Sequence, residues 1–377
     1  MSPTIKLFLC GDVMTGRGID QILPFPSDPT LHEPYMTSAA GYVKLAESAN
    51  GPIPRPVAPA YIWGDALEVI RQADADLRIV NLETSVTTSS QWVNKGVNYR
   101  MHPKNIDCLT AARIDCCELA NNHVLDWGEQ GLLETLAVLH RAGIQTAGAG
   151  QNLKEALAPA ALTIAGKGRV LVFSVGDASS GIPSEWAAAP NKPGVAFLDR
   201  LSPLQVGDLA ARVAAVKGIH DVAMVSIHWG GNWGYEIPHS QRRFARALID
   251  EAQVDIVHGH SSHHVKGFEI YKGKLILYGC GDFLTDYEGI GGYEQYRGDL
   301  GVMYFAGVDR ATGELESLDM VPVQMRRFRL GRASAADVEW LKDVLNREGK
   351  PFGTGVELKG DDRLTLKRAH GGAMLPR

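Results

Sequence analysis

Residues 221–260 read DVAMVSIHWGGNWGYEIPHSQRRFARALIDEAQVDIVHGH. Two short apolar runs, 221–229 and 254–260, have the length and the Val/Ile content of buried strands, and each carries a histidine at its end. The amphipathic stretch 238–253 between them has helix length. The same unit recurs along the chain, with apolar runs IKLFLC (5–10), LRIVNLE (77–83), DCCELA (115–120), RVLVFSV (169–175) and KLILYGCGD (274–282). Helix-length segments fall at 63–75, 129–143 and 203–217. Strands alternating with helices predict an α/β layered domain. Mixed or parallel sheets gather the carboxyl ends of their strands on one edge, so the polar tails of these runs converge there, and that edge is the expected site.

Composition narrows the function. The 377 residues carry a formal net charge of −5, with 45% hydrophobic and 21% charged residues. That is ordinary globular composition and argues against a broad nucleic-acid surface. The opening MSPTIKLFLCGD lacks the pattern of a signal peptide, and no apolar stretch approaches the roughly 18 residues of a membrane span. A cytoplasmic protein without a membrane span is expected. Cys10, Cys108, Cys116, Cys117 and Cys280 are odd in number and lack CxxC spacing, which excludes a disulfide framework or a zinc knuckle as the organising feature. Histidine is the informative residue: His228, His239, His258, His260, His263 and His264 crowd into 37 residues.

Two stretches break the alternation. Residues 23–62 hold eight of the nineteen prolines and read as a long insertion between the first strand and the first helix; 178–197, with IPSEWAAAPNKPG, would cover the same edge. Beyond about 325 a terminal strand and helix are expected to pack on the domain as an extension over 326–377, the helix opened by Ser334 with Asp337 three residues on and faced by Trp340, Leu341, Val344 and Leu345. No internal repeat or low-complexity tract is present.

Five motifs stand at or just past strand ends: Gly11-Asp12-Val13-Met14, Asn81-Leu82-Glu83, Asn121-Asn122-His123, His228-Trp229-Gly230 and Gly259-His260-Ser261-Ser262-His263. Carboxylates, an amide oxygen and imidazoles together suit Zn, Mn, Fe or a similar divalent ion. A lone strand-end His or Asp is usually a cap or a satisfied hydrogen-bonding group, whereas the set points to one or two bound metal ions.

From about residue 5 to about 325 the chain resembles the CapA-like (poly-γ-glutamate capsule synthesis) family of the calcineurin-like metallophosphoesterase superfamily, through GDVMTGR, NLET, ANNHVLDWG, GAG (148–150), SIHWGGNWG, GHSSHH and LYGCGDF. The resemblance implies a four-layer α/β/β/α sandwich with inserted lid loops. It also implies that Asp12, Glu83 and His263 bind one metal and Asn122, His228 and His260 a second, with Glu83 as the bridge and His123 beside them as an acid/base group. The chain departs from the wider superfamily in two places. Met14 stands where the Asp-x-His motif has its histidine, and Asn81-Leu82-Glu83 replaces Gly-Asp-x-x-Asp; one firmly held ion and a labile second are expected. Ser261 and Ser262 stand where the CapA branch commonly has His and Pro.

Around the cluster, Trp229, Trp233 and Tyr235, with Trp186 and Tyr287, would supply stacking surface, and Arg17, Lys95, Arg100 and Arg297 would pair with a carboxylate or phosphate. The family is similar to lasso-peptide epimerases, which raises Cα epimerisation of a peptide residue through a metal-stabilised enolate as the leading expectation, with His123, Asp12 and His264 as acid/base candidates. The alternative is a metal-dependent hydrolase of a poly-γ-glutamate amide or a phosphoester. A binding protein without catalysis fits least, because the ligand set is complete.

Overall fold

In the computed structural model, which describes residues 3–360 and 362–367, the Val222–His228 strand shows why the chain layers as it does. Its side chains alternate: Val222 and Met224 enter one apolar core, while Ala223, Val225 and Ile227 enter another. The first of these cores lies between two sheets. There Leu7, Leu9 and Ile79 meet Val170, Val172, Met224 and Ile256. The second lies between the smaller sheet and the helices Pro203–Val216 and His239–Ala252, through Leu209, Val213, Phe244 and Leu248. A third core, with Val69, Ile70, Leu132 and Leu139 against Phe8, Val80 and Cys117, sets the helices Ala66–Ala73 and Gly128–Arg141 on the outer face of the larger sheet. Helix, sheet, sheet, helix is the expected four-layer order. Each fully buried aliphatic or aromatic side chain contributes about 1.5–3 kcal/mol to holding the layers together.

The larger sheet has ten strands among the described residues and the smaller has seven. In the larger, Thr4–Val13, Leu77–Leu82, Cys116–Glu118 and Gln145–Ala147 run parallel; in the smaller, Gly168–Asp177, Val222–His228, Ile256–His260 and Lys274–Leu277 do. Parallel runs buried on both faces explain why these segments read as near-continuous apolar stretches.

Residues 23–62 are more structured than the sequence suggests. A six-residue helix, Arg17–Ile22, precedes them, and a twelve-residue helix, Ala39–Asn50, lies within, burying Tyr42, Val43 and Ala46. The first is too short for a periodic signal and the second is masked by flanking prolines. Beyond 325 the chain does not form a separate layer. Strands Arg329–Arg332, Val356–Lys359 and Arg363–Leu366 extend the larger sheet, and helix Ala335–Gly349, whose Ser334 Oγ accepts from the Asp337 amide at 3.2 Å, buries Val338, Leu341 and Leu345. The last residues of the expected extension, 361 and 368–377, lie outside the described residues.

One glycine is required by close approach. A Cβ on Gly11 would stand 1.7 Å from the Gly281 carbonyl oxygen, the same oxygen that accepts from the Asp12 amide at 2.9 Å. Backbone cannot yield as a flexible side chain does, so Gly11→Ala is expected to cost about 3 kcal/mol, at the upper end of overpacking effects, and to displace Asp12. Thermal denaturation checks this; an unchanged Tm would refute it.

Candidate metal centre

Both sheets end at one edge, and register aligns their last residues. Asp12 is level with Asn81 on one side and with Asp282 of the Asp282–Leu284 strand on the other; across the sandwich His228 is level with His260. Asn81 donates to Asp12 Oδ1 at 2.7 Å, and the Ser261 amide donates to Asp12 Oδ2 at 3.1 Å, so the carboxylate is fixed from both sheets. Glu83 follows its strand directly, and the turn after Cys116–Glu118 presents Asn122 and His123.

Ligand atoms of Asp12, His228 and His260 all lie within 4.8 Å of one another. His228 Nδ1 and His260 Nδ1 face each other at 2.8 Å, and His228 Nε2 stands 3.0 Å from Asn122 Oδ1 and 3.7 Å from Glu83 Oε1. His260 Nδ1 is 3.8 Å from Asp12 Oδ1. Asp12, assigned from the sequence to the other ion, therefore shares one cluster with His228 and His260. His263 Nδ1 is 3.0 Å from Asp282 Oδ1. Asp282 was missed as a site residue, although LYGCGDF repeats at residue 282 the Gly-Asp strand end that singled out Asp12.

The electrostatics of this cluster ask for a cation. Burial pushes the Asp12 carboxyl up to about 6, with Asp282 adding to the rise and His260 opposing it. Burial also lifts Glu83 well above the carboxylate range, and Asp12 and Asp282 lift it further. Asp282 Oδ2 is buried and accepts no hydrogen bond. Three acids facing one another out of water with imidazole nitrogens turned toward them form a donor set that fits a divalent ion.

His123 stands beside this group, its Nε2 3.8 Å from Glu83 Oε1. Its Nδ1 lies 2.6 Å from Asp126 Oδ2, and its ring stacks on Tyr99 at 3.8 Å. Burial, then Lys95 and Arg17, push the imidazole well below its ordinary range, while burial pushes Asp126 up to about 7 against the pull of Lys95. A neutral ring that keeps its proton on Nδ1 and donates it in a hydrogen bond to Asp126 leaves the Nε2 lone pair facing the centre, the arrangement of a general base. Lys95 binds the Asn122 carbonyl and lies 2.9 Å from Asp126 Oδ1, which makes it a support for this turn.

Other expected residues are placed elsewhere. Trp229 follows His228 and so faces the opposite way, into the helix-covered core; its Nε1 donates to the Tyr278 carbonyl at 2.9 Å. His264 is boxed in by Trp233, Tyr235 and Tyr296, and burial pushes its ring down to about 4. Tyr235 packs in that box with the Arg347 guanidinium over its ring. Arg100 lies over Trp127 and donates to the Ser89 and Asp28 carbonyls. Arg17 grips Asp286 through Nε at 3.1 Å and Nη2 at 2.6 Å and also binds Glu33. Arg297 is held by Asp299 and Asp337. All five cysteines are free and buried, and burial raises the thiols of Cys10 and Cys280, so neither is a ready nucleophile.

A cleft of about 600 Å³ opens from His263 and Asp282, with Trp233 stacked on Tyr293 (4.2 Å between ring centroids) on one wall and Arg17, Arg297 and Arg326 also lining it. Tyr35 and Asn50 bring the proline-rich insertion to its rim. The 178–197 segment reaches the same edge, where Ser180 Oγ donates to the His228 carbonyl at 3.1 Å. No helix of the described residues is long and apolar enough to cross a membrane.

A family model described as bacterial capsule synthesis protein PGA_cap matches residues 6–287. The chain is 49% identical over 364 residues, 96% of each partner, to the probable polyglutamine synthesis accessory protein of Mycobacterium tuberculosis (strain CDC 1551 / Oshkosh). It is 27% identical over 208 residues to the PGA biosynthesis protein CapA of Bacillus subtilis (strain 168), covering 55% of this chain and 52% of that one. The capsule biosynthesis protein CapA of Bacillus anthracis is 26% identical over 196 residues, covering 52% and 46%.

Proposed function

The chain belongs to the bacterial capsule synthesis protein PGA_cap family, and on that premise we propose that it is a metal-dependent hydrolase serving the synthesis of a glutamate polymer, acting on a γ-glutamyl amide or a phosphoester. The observation that carries this is the convergence of Asp12 and Glu83 on His228 and His260, with Asp282 and His263 paired beside them where the cleft opens. Asp12, Glu83, Asn122, His228, His260, His263 and Asp282 would hold one or two divalent ions. When bound, such an ion supplies Lewis acidity and a water acidic enough to be used near neutral pH.

The chain's own groups do the rest. His123 Nε2 would take a proton from the attacking water or return one to the leaving group, with Asp126 holding the ring in the required tautomer. Tyr99 lies flat on that ring and shields it. Trp233 and Tyr293 offer a flat apolar wall to the substrate chain.

Hydrolysis is favoured over Cα epimerisation on two counts. The relatives' names speak of polymer and capsule synthesis. Epimerisation needs a second proton carrier on the opposite face, and His264 is enclosed by aromatic rings while both Asp12 oxygens are engaged. Incubation of the metal-loaded chain with γ-linked glutamate oligomers and aryl phosphoesters in D₂O, followed by mass and chiral analysis, tests this. Cleaved product is expected. Deuterium at Cα in uncleaved oligomer would replace hydrolysis with epimerisation, and no turnover with Mn, Zn or Fe would leave a binding role.

Charge in the cleft bears on the substrate. Apart from Asp282, which faces His263, its acids are spent internally: Asp299 on Arg297 and Gln324, Glu288 on the Arg327 and Phe328 amides, Glu294 on the Gly292 amide. Arg326 is exposed and, among the described residues, makes no ion pair. Arg326→Gln is therefore expected to weaken binding of a γ-glutamate oligomer about three- to tenfold with turnover unchanged, and the difference should shrink in high salt. Calorimetric titration at two salt concentrations reads it; equal affinity would exclude Arg326 from recognition.

A further inference from the structure

Behind His260, on the side away from the cleft, lies a group of buried polar side chains that the proposed chemistry does not use. Glu118 and His258 are both fully buried. Glu118 comes from the larger sheet, level with Asn81, and reaches across the sandwich to the smaller one. Its Oε2 is 3.0 Å from His258 Nδ1 and 3.5 Å from His260 Nε2. His258 Nε2 is 2.9 Å from the Cys10 carbonyl oxygen, directly before the Gly11-Asp12 strand end. Ser226 Oγ, level with His258 on the neighbouring strand, is 2.6 Å from His260 Nε2.

Donor and acceptor bookkeeping fixes the hydrogens. The Cys10 carbonyl can only accept, and so can an ionised Glu118; both ring nitrogens of His258 then carry a proton, and the ring is pinned between the sheets. A buried carboxylate held in this way keeps its negative charge beside His260 Nε2, with the Ser226 hydroxyl also in reach. The proton of a neutral His260 ring belongs on Nε2. Its Nδ1 lone pair is left facing His228 and Asp12.

We propose that Glu118, anchored by His258 and assisted by Ser226, is a positioning residue that fixes the tautomer and orientation of His260 so that Nδ1 is the atom offered to a metal ion. The affinity consequence rests on the metal-centre reading above; the tautomer does not. Carboxylates that orient metal-binding imidazoles typically change affinity by about 10- to 100-fold when lost.

The test uses the full chain with ¹⁵N-labelled histidine, stripped of metal. Long-range ¹H–¹⁵N spectra read the His260 ring before any ion is added, and calorimetry with Mn²⁺ or Zn²⁺ then reads affinity and stoichiometry. In the unaltered chain His260 is expected in the Nε2–H form. Glu118→Gln is expected to mix the tautomers and weaken the ion at least about tenfold. If that variant does not fold, as circular dichroism would report, Ser226→Ala removes only a hydroxyl and is expected to show the same changes at about three- to tenfold. An Nδ1–H ring in the unaltered chain overturns the proposal, as do unchanged spectra and affinity in a folded variant. So would loss of one whole equivalent of metal from Glu118→Gln, because Glu118, His258 and His260 would then be ligands of a further ion. Absence of any ion binding sinks the proposed hydrolase and leaves the spectra to decide the tautomer.

Discussion

If the proposed metal-dependent hydrolase is right, a His260→Ala chain is expected to lose divalent-ion binding and hydrolytic activity together. His260 is the hinge of the centre: Nδ1 stands 2.8 Å from His228 Nδ1 and 3.8 Å from Asp12 Oδ1, while Nε2 meets Ser226 Oγ at 2.6 Å. Removing the ring takes away a proposed ligand and the imidazole that opposes the rise of the Asp12 carboxyl. It also leaves a cavity where His260 is 1% exposed and strands the Glu118 and Ser226 contacts. Loss of one of a small number of ligands should weaken the ion by about two orders of magnitude or more, and the cavity and broken hydrogen bonds should cost about 2–3 kcal/mol of stability. Metal content by elemental analysis, Tm and product formation read the three effects separately. A variant that kept both metal and turnover would remove the proposed centre.

The layers and the edge were legible because they rest on repeated, local signals. The segments 203–217 and 238–253 fold as helices Pro203–Val216 and His239–Ala252, and the apolar runs around them are strands. A strand's own length of apolar residues followed by Asp, Asn or His suffices to say at which edge these polar groups gather. What each side chain faces is a different matter, because adjacent strand residues point to opposite faces. Trp229 illustrates this: one position after His228, it faces the core beneath the helices. The Glu118 and His258 contact escaped notice for a related reason. It joins residues 140 apart, one from each sheet, and nothing in either local sequence announces that they meet. Arg17, Arg100 and Arg297 were legible as cations but not as cations already engaged, since the Asp286 and Asp337 carboxylates and the Asp28 backbone carbonyl reach them only through the tertiary fold. The helix Ala39–Asn50 was hidden by prolines on both sides, which mark turns at its ends without excluding a helix between them.

His123→Ala should behave in the opposite way to His260→Ala, retaining metal and losing turnover. The ring is held from behind, with Nδ1 2.6 Å from Asp126 Oδ2 and its face on Tyr99, and it reaches the centre only through Nε2, 3.8 Å from Glu83. Asp12, His228 and His260 lie within 4.8 Å of one another independently of His123, so the proposed ligands of an ion are left in place. What disappears is the imidazole Nε2 that faces the centre beside Glu83, with Nδ1 held from behind by the buried Asp126. General acid/base groups of this kind contribute about 10²- to 10⁴-fold, so kcat should fall by that factor while KM and metal content stay near those of the unaltered chain. If metal is lost with turnover, His123 is a ligand. If turnover survives at full rate, the proton passes through another group, and the pairing of His123 with Asp126 serves only to brace the turn that presents Asn122.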